Sequence, residues 1–244
     1  MPSYLDYIPM PRLGRIGRIG SDSYPPDPEP KPDIIYYWRP NQKHGFLSMW
    51  YPSPFRDSYD PSKIYPTAEH YYLHHRALLF DDPEIAAEVL RCKYPHDAKD
   101  LMKKLKNFDQ TIWENNRERI LYEANWHKFT APYIPRNTLP AACEPWFDMS
   151  DEAFKHSKRL KAALLETGDR HIVQTSVFDY LWGNGICWMV SWQRRLRWGL
   201  NLQGIILMQI RDRIRRDEEM MESLENWESP KAPQKYCLRF RQLD

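Results

Sequence analysis

From position 67 onward, apolar residues recur mostly every three or four positions, the spacing of one face of an α-helix. Thr67 is a suitable N-cap and Glu69 in the first turn complements the helix dipole, which predicts a helix from Ala68 to about Phe80. Asp81-Asp82-Pro83 restarts the chain as a second helix through Arg91, and Tyr94-Pro95 breaks it. Helical spacing returns from Asp97 to Lys106 and from Asp109 to Phe129, where Ile112, Trp113, Ile120, Leu121 and Ala124 form the expected buried side. Prolines at 132, 135, 140 and 145 predict a loop or insertion. Ser150 then caps a helix that reaches Glu166, where Thr167-Gly168-Asp169 stops it. Asn201 opens a strongly apolar helix through Ile205, Ile206, Met208 and Ile210, expected to be the longest, which fades into charge over Arg211 to Glu219.

Extended segments are fewer and shorter. Ile34-Ile-Tyr-Tyr-Trp38, ended by Arg39-Pro40, reads as a strand, a second is expected around Phe46 to Tyr51, and Ile172 to Val177 is a strand or an extended link. The pattern therefore predicts a mainly α (α+β) fold, a single multihelical domain over residues 34–216 with a few short strands. Tyr24-Pro-Pro-Asp-Pro-Glu-Pro-Lys-Pro-Asp33 favours extended polyproline conformations, so residues 1–33 read as a disordered N-terminal arm and residues 217–244 as a charged C-terminal tail. Deleting residues 1–33 is expected to lower the melting temperature by less than about 5 °C, because so polar a segment buries little apolar surface. A larger drop in a thermal melt would show that the arm packs on the core.

Composition narrows the function more by exclusion than by suggestion. Thirty-five basic and 33 acidic side chains give a formal charge of +2, so a polyanion partner would need a local patch. The four cysteines, at 92, 143, 187 and 237, have no CxxC spacing, which argues for reduced thiols and against a zinc knuckle or disulfide framework. No stretch approaches the roughly 20 apolar residues of a membrane span, and the first 20 residues lack a secretory apolar segment. Arg12, Arg15 and Arg18 hint at a transit peptide, but Pro2, Asp6, Pro9 and Pro11 make a poor amphipathic helix, so the expected location is intracellular, cytoplasmic or nuclear. The 10 Trp and 15 Tyr stand out, since such side chains fill cores and also sandwich flat bases and sugar faces.

Three separated segments carry candidate chemistry. The first joins Gly45-Phe-Leu-Ser-Met-Trp-Tyr-Pro-Ser-Pro-Phe55 to Tyr65-Pro-Thr-Ala-Glu-His-Tyr-Tyr72. The second runs from Lys106-Asn-Phe-Asp109 through Trp113 and Arg117 to Lys128-Phe129. The third holds Leu164-Leu-Glu-Thr-Gly-Asp169, Asp179-Tyr-Leu-Trp-Gly-Asn-Gly185 and Trp198-Gly-Leu-Asn-Leu-Gln-Gly204. In this order the segments resemble the NADAR (YbiA-like) family. The resemblance implies hydrolysis of the C–N bond between a base and ribose, on a small nucleotide-like substrate. That substrate would be an ADP-ribosyl or ribosyl-phosphate N-glycoside, free or as a modified nucleobase in nucleic acid, with no metal, cofactor or membrane involved.

Such a cleavage builds positive charge on the sugar, so a carboxylate beside the anomeric carbon stabilises the transition state and a second handles a proton. Glu69 and Asp179 are the candidate catalytic residues; without the resemblance they would pass for a first-turn carboxylate and a turn aspartate. Ser48, Trp50, Arg76, Trp113, Trp182, Gly183 and Asn201 are the candidate substrate-binding residues. Trp113 and Trp182 would face the base or ribose, although any single tryptophan is more often plain core. Asn201 would bond a phosphate or ribose hydroxyl, or merely cap its helix. Arg76 stands where the family usually has lysine, seven residues after Glu69 and on the same helix face. A guanidinium is no nucleophile, so any lysine-dependent mechanism is lost while phosphate binding is kept. Met49, Met102-Lys103, Gln174 and Leu200 also replace the usual polar groups, and the segment from Cys187 to Arg197 reads as an insertion that covers the pocket, forms a basic aromatic patch, or is a solvated helix face. A pseudoenzyme that binds ADP-ribose-like ligands without turnover is the alternative, and a nucleic-acid module built on Arg194 to Arg197 is a third.

Overall fold

The computed structural model describes residues 33–132, 134 and 159–226. The N-terminal arm, the proline-rich stretch, the Ser150 cap and the end of the tail lie outside the described residues. Helices dominate: α1 (Ala68–Leu79), α2 (Pro83–Arg91), α3 (Pro95–Leu101), α4 (Gln110–Thr130), α5 (Leu160–Leu165) and α6 (Leu202–Glu225). Strands β1 (Ile34–Tyr37) and β4 (His171–Gln174) pair in parallel, Ile34 opposite His171 and Tyr37 opposite Gln174. A two-residue ladder joins β2 (Phe55–Arg56) to β3 (Ile64–Tyr65). No helix among the described residues is long and apolar enough to cross a membrane.

Local chemistry explains most boundaries. Thr67 caps α1 by accepting the His70 N–H, Asp82 caps α2 by accepting from Ile85, and Asp109 caps α4 by accepting from Ile112. The core gathers Leu73, Ala77, Ile120, Leu121, Ala124, Leu164, Ile172, Leu207 and Ile210, drawn from α1, α4, α5, α6 and β4. Three expectations fail. The expected strand at 46–51 is instead a 3-10 turn, Gly45–Leu47, followed by loop, because Gly45 to Met49 are all buried and offer no solvent face for alternation. Pro95 starts α3 as its first residue rather than only ending α2, and the helix stops at Leu101 before a 3-10 turn. Ile112 lies 46% exposed on the outer side of the first turn of α4. In addition, α6 runs nine residues past 216, since its charged end needs no core to remain helical.

Asn201 departs from its expected capping role. It sits in the left-handed region at φ 49° with no side-chain cap, and its amide instead accepts from Gln174 N at 3.0 Å and donates to Ile172 O at 2.9 Å. The first N–H groups of α6 are satisfied by another loop: Asn201, Leu202 and Gln203 donate to the carbonyls of Gly183, Leu181 and Trp182 at 3.1 Å each. Three residues on, a Cβ at Gly204 would come within 2.2 Å of Ile172 O. The N-x-x-G pattern is therefore a clamp that seats α6 against β4. Replacing Asn201 with Ala is expected to cost about 2–4 kcal/mol, since the buried Ile172 carbonyl and the part-buried Gln174 N–H lose their partners and alanine resists a left-handed backbone. Denaturant unfolding measures it; a loss under about 0.5 kcal/mol would remove the clamp from the account.

Candidate functional site

The P-T-x-E-H segment divides structural from chemical work. Thr67 and His70 are fully buried, with the His70 ring bonded to Thr67 Oγ1 at 2.8 Å and to Cys92 O at 3.1 Å, which ties the start of α1 to the end of α2. Burial holds His70 down to about pKa 4, so it is a neutral strut. Glu69 points elsewhere. Its backbone N–H donates to Met49 O at 3.1 Å and its carboxylate accepts a hydrogen bond from the Trp50 side chain. Burial drives the Glu69 carboxyl up to about 7; the charge of Asp179 adds to the rise, while Lys99, the Trp50 bond and Arg76 oppose it.

The Ser48–Trp50 loop that meets Glu69 is pinned from behind. Ser48 Oγ accepts from Trp50 N at 3.3 Å, and its carbonyl takes the buried ammonium of Lys128 at 2.7 Å. Met49 Sδ accepts from Asn125 Nδ2 at 3.1 Å, so the methionine at this position serves the core. Lys128 is 3% exposed, and burial pulls its amine well below the ordinary lysine range. Ser48 thus shapes the loop rather than joining the Glu69 cluster.

Asp179 reaches the same place from the far end of the chain. Its Oδ1 accepts from Trp182 N at 2.9 Å and Leu181 N at 3.3 Å, the local turn role that an aspartate here can play. Its charge also acts on Glu69, Tyr37 and Tyr72, which brings the two candidate carboxylates into one electrostatic neighbourhood. Gly183 contributes packing: a Cβ there would lie 2.8 Å from Gln174 O.

Trp113 and Trp182 meet through Tyr72, whose ring lies 5.4 Å from the first and 5.8 Å from the second. Two guanidiniums cover the tryptophans, Arg76 at 4.5 Å over Trp113 and Arg117 at 5.9 Å over Trp182, and Arg76 also stacks at 5.0 Å on Phe108. Among the described residues neither arginine forms an ion pair, and the Nε of each is buried without a partner. Glu69, Asp179, Trp50, Arg76, Trp113 and Trp182 therefore gather, whereas Ser48, Gly183 and Asn201 support the frame. Tyr72 and Arg117, present in the motif segments but not among the candidate site residues, belong to the cluster, while the charge of Lys99 reaches Glu69 and that of Asp179 reaches Tyr37. Tyr72 and Arg117 had a signal available, each lying one helical turn beyond a proposed site residue. Of the three readings left open for the Cys187 to Arg197 segment, the solvated α-helix face is replaced by two 3-10 turns with Trp188 and Leu196 exposed, and Arg195 stacks on Trp192 at 4.6 Å.

Comparison with known proteins identifies the family and the fold. The NADAR domain model matches residues 36–215. An N-glycosidase of Acanthamoeba polyphaga mimivirus is 29% identical over 170 residues, covering 68% of this chain and 85% of that protein. A riboflavin biosynthesis protein of Vibrio vulnificus (strain YJ016) is 27% identical over 151 residues, 62% of this chain and 33% of its own. A chloroplastic riboflavin biosynthesis protein of Zea mays is 27% identical over 200 residues, 77% of this chain and 27% of its own, so the chain spans about a third or less of these two. The NMR structure of the E. coli protein YbiA superposes with a TM-score of 0.50 at 22% identity, covering 82% of this chain and 93% of that one, which shows a shared fold.

Proposed function

This chain belongs to the NADAR family, and we propose that it is an N-glycosidase that hydrolyses the C–N bond between a base and ribose phosphate or ADP-ribose. The observation that carries this reading is the Glu69 carboxyl held near pKa 7 within the field of Asp179, beside two tryptophans covered by arginines that form no ion pair among the described residues. Each part has a chemical task. A carboxyl poised at neutrality passes a proton to the leaving base, and a carboxylate nearby steadies positive charge developing at the anomeric carbon. Water adds to that carbon as the C–N bond breaks, its oxygen becoming the new hydroxyl and its released proton going to the Glu69 carboxylate, which replaces the proton given to the departing nitrogen. Trp113 and Trp182 supply flat faces for the base or sugar, and Arg76 and Arg117 suit phosphate oxygens.

The test is base release from ribosyl-phosphate and ADP-ribosyl N-glycosides, with the base free or carried by a nucleic acid. Release lost on changing either Glu69 or Asp179 supports the reading, and release indifferent to both defeats it. One feature favours a second reading, a ligand-binding protein without turnover: Arg76, wedged between Phe108 and Trp113, is a fixed cation where an amine nucleophile would have to be neutral.

A further inference from the structure

The face of α1 that carries Glu69 and Arg76 also carries Tyr72 between them. It lies three residues after the first and four before the second, so the three side chains form a ladder with steps of about 4.5 and 6 Å along the axis. The Tyr72 ring is 7% exposed, edge-on to Trp182 at 86° and tilted by 59° against Trp113. Both neighbours offer it carbon. Its hydroxyl oxygen is buried with no hydrogen-bond partner, and so are the hydroxyl of Tyr37, Oε1 of Gln174 and the two arginine Nε atoms. Tyr37 and Gln174 are register partners across β1 and β4, and the charge of Asp179 acts on both tyrosines, so these orphaned groups share the electrostatic neighbourhood of Asp179.

Buried polar atoms in native proteins are nearly all paired, because leaving one unpaired forfeits its hydration for nothing. Five orphans around two carboxylates are explained if a polar ligand supplies their partners. Resting on the reaction reading, which puts Glu69 at the anomeric carbon and Arg76 at a phosphate, we propose that Tyr72 hydrogen-bonds the ribose hydroxyls between those two points and so selects ribose over deoxyribose. With Glu69 at the anomeric carbon and Arg76 at the phosphate, the ribose is the part of the substrate that spans the two, within the phenol's reach. Burial also pushes the Tyr72 phenol well above its ordinary value, so it is a hydrogen-bond donor at neutral pH. A site built around such a donor discriminates against the analogue lacking the hydroxyl, because the phenol is then left buried and unpaired.

Calorimetric titration of the wild type and Tyr72→Phe with ribose 5-phosphate and 2-deoxyribose 5-phosphate tests this. The wild type should bind the ribose ester about tenfold more tightly, the scale of one net hydrogen bond. Tyr72→Phe should bind both esters alike, at the wild type's affinity for the deoxy ester, which also shows that the site is still formed. If circular dichroism shows that this variant does not fold, Tyr72→Leu carries the same expectation. No preference in the wild type, a preference retained in the variants, or no binding of either ester overturns the proposal. The two readings fail separately. Base release without any ribose preference removes the role of Tyr72 and leaves the N-glycosidase reading standing, whereas a Tyr72-dependent preference in a protein that releases no base does the reverse.

Discussion

Glu69→Gln is expected to lower kcat/KM for base release by about a thousandfold while changing ligand affinity only severalfold, because it removes both proton transfer and negative charge from the reacting carbon. The pH dependence separates this from general damage. With the Glu69 carboxyl at about 7, kcat/KM of the wild type should change slope near neutrality, and that inflection should vanish in the glutamine variant. Stability should move the opposite way. The folded carboxyl titrates far above its ordinary 4.5, so the folded state binds a proton more tightly than the unfolded state and loses stability as pH rises from about 4.5 through 7. Glutamine carries no such penalty, so Glu69→Gln should be more stable than the wild type by about 1–3 kcal/mol at pH 8 and equal to it near pH 4. Chemical denaturation at the two pH values measures this. A variant that keeps its activity, or that is less stable at pH 8, would mean that Glu69 is an ordinary first-turn carboxylate.

Why the sequence disclosed some of this and hid the rest follows from the range of each interaction. Caps act within three residues, so Thr67, Asp82 and Asp109 mark their helix starts visibly. Asn201 looked like another cap and is not, because the carbonyls of Leu181, Trp182 and Gly183 arrive from a loop folded against the helix start. No local rule shows that. Gly45 to Met49 misled for a similar reason: their aromatic and apolar content suits a strand, but Lys128 and Asn125, nearly eighty residues away, draw the loop inward. In the site itself, Glu69, Trp113, Asp179 and Trp182 were legible only through the ordered set of motifs. The orphaned Tyr72 hydroxyl and the unpaired arginines depend on which groups fail to meet, and a sequence does not display missing partners.

Arg76 is where binding and chemistry should separate. Its guanidinium stacks at 4.5 Å on Trp113 and 5.0 Å on Phe108, and burial lowers its pKa from the ordinary value, yet arginine stays charged at any working pH. A fixed, half-buried cation without an ion pair among the described residues suits an anion from outside the chain. Arg76→Ala should weaken binding of ADP-ribose or ribose 5-phosphate by about 1.5–3 kcal/mol, the scale of a hydrogen bond to a charged group, roughly ten- to 150-fold in Kd. Arg76→Lys should keep part of that affinity, since an ammonium preserves charge but not the planar fork. Turnover decides between the two readings of the site. If Glu69 and Asp179 suffice, the wild type releases base, and Arg76→Ala raises KM while kcat falls only severalfold. If the arginine has replaced an essential nucleophile, the wild type binds without releasing base, and Arg76→Lys gains release because a buried lysine can shed its proton and attack the sugar carbon. Calorimetric titration and a base-release assay on the three proteins give both quantities. Ligand affinity unchanged in Arg76→Ala would place the phosphate elsewhere, with Arg117 over Trp182 as the next candidate among the described residues.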